Sequence, residues 1–194
     1  MSFRVEEKLL INKYQITEFK NFLSKKKVEE PYPPRIIKSL YFENSKDEMY
    51  KDSIEGTVPR KKIRVRNYPN NQNTFFYLET KISSVEGRYK TSKIIDEKNF
   101  TKFKDTGIYD QQYGICRPLI YVTYKREYYK INDVRISIDE NIKYSLFSGR
   151  EIGTDANSIV ELKASFAKDR DNLINNFPFQ RTRFSKYCNG FQKI

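Results

Sequence analysis

Between Arg60 and Tyr68 the chain reads Arg-Lys-Lys-Ile-Arg-Val-Arg-Asn-Tyr, and in an extended strand alternate residues point to opposite faces. Arg60, Lys62, Arg64, Arg66 and Tyr68 share one face, while Ile63 and Val65 lie on the other. Such a strand presses an apolar side into a core and offers a row of cations to something anionic. A row of phosphates fits that demand. Taken alone, the pattern also fits a half-buried strand whose charged face looks at water, so the rest of the chain has to decide.

The same design recurs. Phe3–Ile11 places Arg4, Glu6 and Lys8 on one side, and Phe75–Ile82 groups Tyr77, Glu79 and Lys81. Ile120–Tyr129 is rich in β-branched and aromatic residues, with Tyr124 and Arg126 in phase. Val134–Asp139 follows an Asn132-Asp133 turn, and Ile159–Ala164 sets Glu161 and Lys163 against Val160, Leu162 and Ala164. Ile37–Glu43 is a further strand. Helical spacing of Ile16, Phe19, Phe22 and Leu23 predicts a helix from Tyr14 to about Lys27. Asp47–Ile54 reads as a short helix closed by Gly56. Ser83–Ser92 reads as a polar loop, 96–115 as irregular or weakly helical, and 168–177 and Thr182–Tyr187 as two short helices. An open sheet facing water satisfies these patterns. A sheet closed on itself does so too, removing its edges and gathering the charged faces, Arg64 and Arg66 among them, into one wet lumen.

With 194 residues, 37 Lys and Arg against 25 Asp and Glu, and a net charge of +12, the chain is expected to fold as a single domain over 1–194 and to take an anionic partner. The absence of histidine excludes His bases, His nucleophiles and His metal ligands. Neither G-x-x-x-x-G-K-[ST] nor G-x-G-x-x-G occurs among its seven glycines, so side chains must hold any phosphate. Two distant cysteines, Cys116 and Cys188, and no signal-like start point to free thiols and a cytoplasmic, soluble protein. No apolar run is long enough to span a membrane. Phosphoryl transfer suits this inventory, because it asks mainly for positioning and for charge neutralisation by Arg, Lys and a divalent metal. Carboxylates for a hard cation stand in the charged phase at Glu6, Glu79, Asp139 and Glu161. A nucleic-acid-binding module would not need those carboxylates, so no nucleic acid partner is expected.

The ordered set Arg4-x-Glu6-x-Lys8, Ser39-Leu40-Tyr41-Phe42, Tyr50 with Gly56, Lys62-x-Arg64-x-Arg66-x-Tyr68, Leu78-Glu79-x-Lys81, Tyr124-x-Arg126, Val134-Arg135-Ile136-x-Ile138-Asp139, Val160-Glu161-Leu162-Lys163 and Arg183-Phe184-Ser185-Lys186-Tyr187 resembles the VTC (vacuolar transporter chaperone) domain of polyphosphate polymerases. The resemblance covers nearly the whole chain. It implies the triphosphate tunnel fold, an α+β but mainly β architecture: a closed antiparallel barrel of about eight strands with flanking helices. It also implies transfer of the γ-phosphate of ATP onto inorganic polyphosphate with manganese or magnesium. By position, Arg64, Arg66, Arg126 and Lys81 would be catalytic, and these with Lys8, Arg183 and Lys186 would bind phosphate. The family's tunnel lysine in the loop after Lys81 corresponds to Lys90 or Lys93, and spacing does not choose. Glu161 would bind metal, with Glu6 and Glu79 as further candidates. Tyr41, Tyr68 and Tyr124 are expected to pack against or orient arginines. Related triphosphatases typically open with Glu-x-Glu-x-Lys, where this chain has Arg4. A tunnel-type triphosphatase and a non-catalytic polyphosphate- or nucleotide-binding module are the alternatives, and a membrane-protein partner does not follow from these residues.

Overall fold

The computed structural model of the chain describes residues 4–70, 75–165 and 179–194. The expected helix over 168–177, the tip of the turn after Tyr68 and the side chain of Arg4 lie outside the described residues. In order the elements are β1 (Arg4–Ile11), α1 (Lys13–Ser24), β2 (Arg35–Glu43), α2 (Glu48–Glu55), β3 (Arg60–Asn67), β4 (Phe76–Ser84), β5 (Gly87–Ile95), α3 (Glu97–Thr106), β6 (Ile108–Asp110), β7 (Gly114–Ile131), β8 (Val134–Leu146), β9 (Glu151–Thr154), β10 (Ser158–Ser165) and α4 (Lys186–Phe191). The chain divides into two compact units. One comprises Met1–Arg35, Tyr124–Ile142 and Thr154–Phe184, the other Ile36–Thr123, Lys143–Gly153 and Ser185–Ile194.

In the first unit the hydrogen-bonded order is β1-β10-β8-β7, with β1 antiparallel to β10 and β10 antiparallel to β8. Strand parity sends Leu9, Ile11, Ile136, Ile138, Val160, Leu162 and Ala164 to one face, where they form a core with Ile16, Phe19 and Leu23 of α1. Asn12 starts α1 as a capping box, its side chain accepting from the Gln15 amide while the Gln15 side chain accepts from the Asn12 amide. The helix ends at Ser24, so the lysines at 25–27 follow it rather than close it.

On that helix-facing side Lys20 Nζ lies 3.0 Å from Glu127 and 2.9 Å from Glu140. Glu127 also accepts from Lys125 Nζ at 2.8 Å and from the Tyr129 hydroxyl at 2.9 Å. Burial raises the Glu127 pKa, but Lys125, Lys20 and Tyr129 outweigh it and bring the carboxyl down from 4.5 to about 2. A folded-state value below the unfolded one stabilises the fold fully above about pH 5, and the contribution is lost as pH falls toward 2. The urea midpoint of wild type is therefore expected to fall between pH 5 and pH 2 more steeply than that of Glu127→Gln. Parallel curves would remove Glu127 from the account of acid stability.

In the second unit the order is β7-β2-β3-β4-β5, with β6 on β7. Leu40, Phe42, Met49, Ile63, Val65, Ile95, Tyr113 and Cys116 form its core, with Phe100 and Phe103 of α3 packed against it. Both cysteines are free and buried. Glu43 organises the corner after β2: its carboxylate accepts from the amides of Asn44, Met49 and Tyr50. It thereby caps α2, whose own N-cap Asp47 makes no side-chain cap bond. The Tyr187 hydroxyl donates to the same carboxylate, and Phe191 stacks on Tyr50 at 3.9 Å. These contacts fasten α4 to α2. Gly190 permits a close approach within the unit, since an added Cβ would sit 2.6 Å from Tyr144 Cδ1.

Three expectations are corrected. Ser83–Ser92 is a hairpin, not a loop: β4 runs to Ser84, and Gly87, at φ 142°, opens β5. As an end strand β5 is exposed along most of its length and shows no apolar alternation. The last helix begins at Lys186 rather than Thr182, because Arg181 and Thr182 pair with the backbone of β1 and Ser185 caps the Cys188 amide. The closed barrel is the third. Among the described residues no pairing joins β1 to β5, so the antiparallel sheet is an open path with those two strands at its ends.

Candidate functional site

The first unit builds its charged cluster around β10. Glu161, 6% exposed, stands in register with Lys8 on one side and Ser137 on the other. Its carboxylate lies 3.1 Å from Lys163 Nζ and 3.6 Å from Arg126 Nη2. Burial raises its pKa, but a hydrogen bond with Glu6 and the charges of Arg126, Lys163 and Lys8 outweigh burial and hold the group well below the carboxylate range. Arg126 is fixed by a bidentate pair with the fully buried Asp139, Nε to Oδ1 at 2.5 Å and Nη2 to Oδ2 at 2.7 Å. The Tyr124 ring lies 5.4 Å from its guanidinium carbon. Lys8 Nζ donates to the Phe184 carbonyl at 2.9 Å and lies 3.4 Å from Glu6. Arg183 is exposed on the segment that pairs with β1.

A divalent cation fits part of this cluster. Glu6 and Glu161 lie diagonally across the β1–β10 pairing, each beside a lysine, and carboxylate oxygens are the donors that a hard cation takes. Two protein oxygens do not complete a coordination sphere. Among the described residues no group of three metal-ligating side chains occurs, so waters and phosphate oxygens would fill the remaining positions, as is usual for magnesium.

The second unit aligns its cations by register. Arg64 pairs across the sheet with Glu79, Arg66 with Tyr77, and Lys62 with Lys81, which in turn faces Lys90. Three lysines side by side on adjacent strands repel one another unless an anion accompanies them. Arg64 and Arg66 are only 6% and 8% exposed, a correction to the expectation that they face an open, wet lumen. Burial is affordable because Arg64 Nε and Nη2 both donate to Glu79 Oε2, at 2.8 and 2.6 Å, and Nη1 donates to the Tyr41 hydroxyl at 2.8 Å. Arg66 Nε donates to Ser39 Oγ at 3.3 Å and lies 3.9 Å from Glu79. Glu79 Oε1 accepts from Lys90 Nζ at 2.8 Å.

The electrostatics of this cluster register on Tyr41. Burial alone raises a phenol's pKa, yet the charges of Arg64, Arg66 and Lys186 outweigh it and lower that of Tyr41. The local field stabilises negative charge. Arg64 and Arg66, here with Lys90, likewise hold Glu79 far below the carboxylate range against its burial.

The structure thus brings Glu6, Lys8, Arg126 and Glu161 together in one unit, and Arg64, Arg66, Lys81, Lys90 and Lys186 in the other. It separates Lys90 from Lys93, which stands in register with Leu78 and Val65, in the phase of the core. Both Glu79 oxygens already serve cations, which sets that residue apart from the Glu6–Glu161 pair as a metal ligand. Sequence reasoning passed over Ser39, although it shares the phase of Tyr41. Strand parity put Lys62 in the cation row but did not carry its Nζ bond to Ser185 Oγ at 2.9 Å, nor the Glu43–Tyr187 tie, which joins residues 144 positions apart.

A family model described as the VTC domain matches residues 3–194, taking in both units. No curated protein matches the chain. Among solved structures, a Pyrococcus horikoshii protein aligns at 16% identity with a TM-score of 0.62, over 99% of this chain and 100% of its own. An adenylyl cyclase-like protein from Hippeastrum aligns at 13% identity and TM-score 0.65, over 98% and 96%. A Bacillus halodurans adenylate cyclase-like protein gives 12% and 0.62, over 95% and 94%. At these identities the likeness is one of fold, that of the triphosphate tunnel proteins.

Proposed function

The chain belongs to the VTC domain family, and from that premise we propose that it is a polyphosphate polymerase, transferring the γ-phosphate of ATP onto a growing polyphosphate chain. The observation that carries this reading is the row of cations in the second unit: Arg64 and Arg66, buried and held by Glu79, Tyr41 and Ser39, share a strand face with Lys62, and the register sets Lys62 beside Lys81 and Lys81 beside Lys90. Polyanions are the ligands such an environment selects.

In the proposed reaction a terminal phosphate oxygen of polyphosphate attacks the γ-phosphorus in line. One P–O bond forms as the bond to the β,γ-bridging oxygen breaks, and that oxygen's electron pair leaves on ADP. The acceptor oxygen is already ionised, so no protein base is required, in keeping with a chain that has no histidine. Arg64 and Arg66, held by Glu79, Tyr41 and Ser39, neutralise phosphate oxygens at fixed positions. Lys81, Lys90 and Lys186 add charge beside them in the second unit, and the first unit carries its own phosphate-binding cations: Arg126, clamped by Asp139, with Lys8 and the exposed Arg183. Glu161 and Glu6 would hold manganese or magnesium, which supplies further neutralisation when bound.

The runner-up is a tunnel-type triphosphatase, favoured by the Glu6–Glu161 pair and by the dominant triphosphatase activity ascribed to the Hippeastrum protein. No helix among the described residues is long and apolar enough to cross a membrane. The test is incubation of the purified chain with ATP and manganese, resolved on a gel that separates polyphosphate by length. A ladder is expected. ADP with free phosphate and no ladder would replace the proposal with the triphosphatase reading, and saturable binding without turnover would leave a binding module.

A further inference from the structure

Outside the two charged clusters, one group of side chains has the makings of a ligand site. Pro31, Tyr32, Pro33, Pro34 and Arg35 form the approach to β2. The prolines restrict the backbone on both sides of Tyr32, and Glu29 fastens the segment to β7 through two backbone hydrogen bonds with Lys130, at 2.9 and 2.8 Å. Tyr32 is nevertheless 53% exposed, a large aromatic surface held rigidly in water. Its ring meets that of Tyr128 edge to face, centroids 5.5 Å apart at 76°. The guanidinium carbon of Arg35 lies 5.0 Å from the centroid of Tyr32 and 5.8 Å from that of Tyr128.

The position of this trio gives it meaning. Tyr128 shares the strand phase of Tyr124 and Arg126, the face opposite to the one on which Glu127 meets Lys20 of α1. Two residues along a strand span about 6.6 Å, so the backbone positions of Tyr128 and Arg126 stand about as far apart on one strand face as a nucleoside and its phosphates. Aromatic rings and arginine planes stack on nucleobases whatever their identity. Inorganic polyphosphate has no π face and gains nothing from the Tyr32 and Tyr128 rings.

We propose that Tyr32, Arg35 and Tyr128 form a stacking platform for the base of a nucleoside triphosphate whose phosphates reach Arg126, so that this end of the first unit takes the nucleotide. The platform tolerates different bases and separates nucleotides from base-free polyphosphates. This rests on the phosphoryl-transfer reading above, and the experiment separates the two. Calorimetric titration of the full chain with ATP and with inorganic tripolyphosphate, in magnesium, compares wild type with Tyr32→Ala. That side chain is exposed, so thermal stability serves as the folding control.

The variant is expected to lose on the order of tenfold in ATP affinity, the stacking contribution of one base. Its affinity for tripolyphosphate should stay within about twofold of wild type, and Tyr32→Phe should retain ATP binding. Equal losses for both ligands, or none for either, would overturn the platform while leaving phosphate binding intact. Failure of wild type to bind either ligand would overturn the proposed function and the platform with it.

Discussion

Replacing Glu161 with glutamine should abolish most turnover and weaken divalent metal binding while leaving tripolyphosphate binding nearly unchanged. The substitution is isosteric, and Arg126 keeps its bidentate partner Asp139, so the fold should tolerate it. What is lost is one charged oxygen of the pair formed with Glu6. A neutral amide oxygen is a poorer ligand for a hard cation. A bound metal contributes several kcal/mol of charge stabilisation, so the rate is expected to fall on the order of 10²–10³-fold. Manganese titration reports the metal, and tripolyphosphate titration reports the cations that remain. Full activity with unaltered metal affinity would remove Glu161 from the metal site.

The second large effect concerns Arg64, and it separates stability from activity. Truncation to alanine takes the bidentate partner from a carboxylate that is 4% exposed. Breaking one side of a buried pair costs about 3–5 kcal/mol, so Arg64→Ala should unfold at markedly lower urea. Removing Glu79 as well deletes the carboxylate whose Oε2 has lost both Arg64 donors and which keeps only Lys90 on Oε1 and Arg66 at 3.9 Å. Arg64→Ala/Glu79→Ala is therefore expected to recover most of the lost stability, yet to remain inactive, on the order of 10²-fold or more down, because the guanidinium proposed to meet the phosphates is still missing. Equilibrium unfolding and turnover measured on the same four proteins form the cycle. Recovery of both properties in the double variant would make Arg64 a structural partner of Glu79 and nothing more.

How much of this was legible beforehand follows from what strand parity can carry. Parity set Arg64 and Arg66 opposite Ile63 and Val65, and the same rule put Glu161 opposite Val160 and Leu162. Parity does not carry register. Only the pairing of Arg64 with Glu79 and of Lys81 with Lys90 shows that the arginines are buried, and that Lys90 rather than Lys93 joins the charged row. The strand β5 was hidden because exposure on both faces leaves no apolar alternation to read. Helix α3 was only weakly legible since none of its residues is fully buried. Closure of the barrel depends on how twist and stagger bring the end strands together, which a residue pattern does not encode. The Tyr32–Tyr128 contact and the Glu43–Tyr187 tie are non-local, and no spacing announces them.

The most direct test of the central claim is a phosphate balance. With γ-labelled ATP, manganese and a short polyphosphate primer, ADP, polymer-bound label and free phosphate are measured in the same reaction over time. The account requires label in polymer to match ADP closely, free phosphate to stay a minor product, and the rate to rise with primer concentration. Free phosphate equal to ADP at every primer concentration, with no label in polymer, would contradict it.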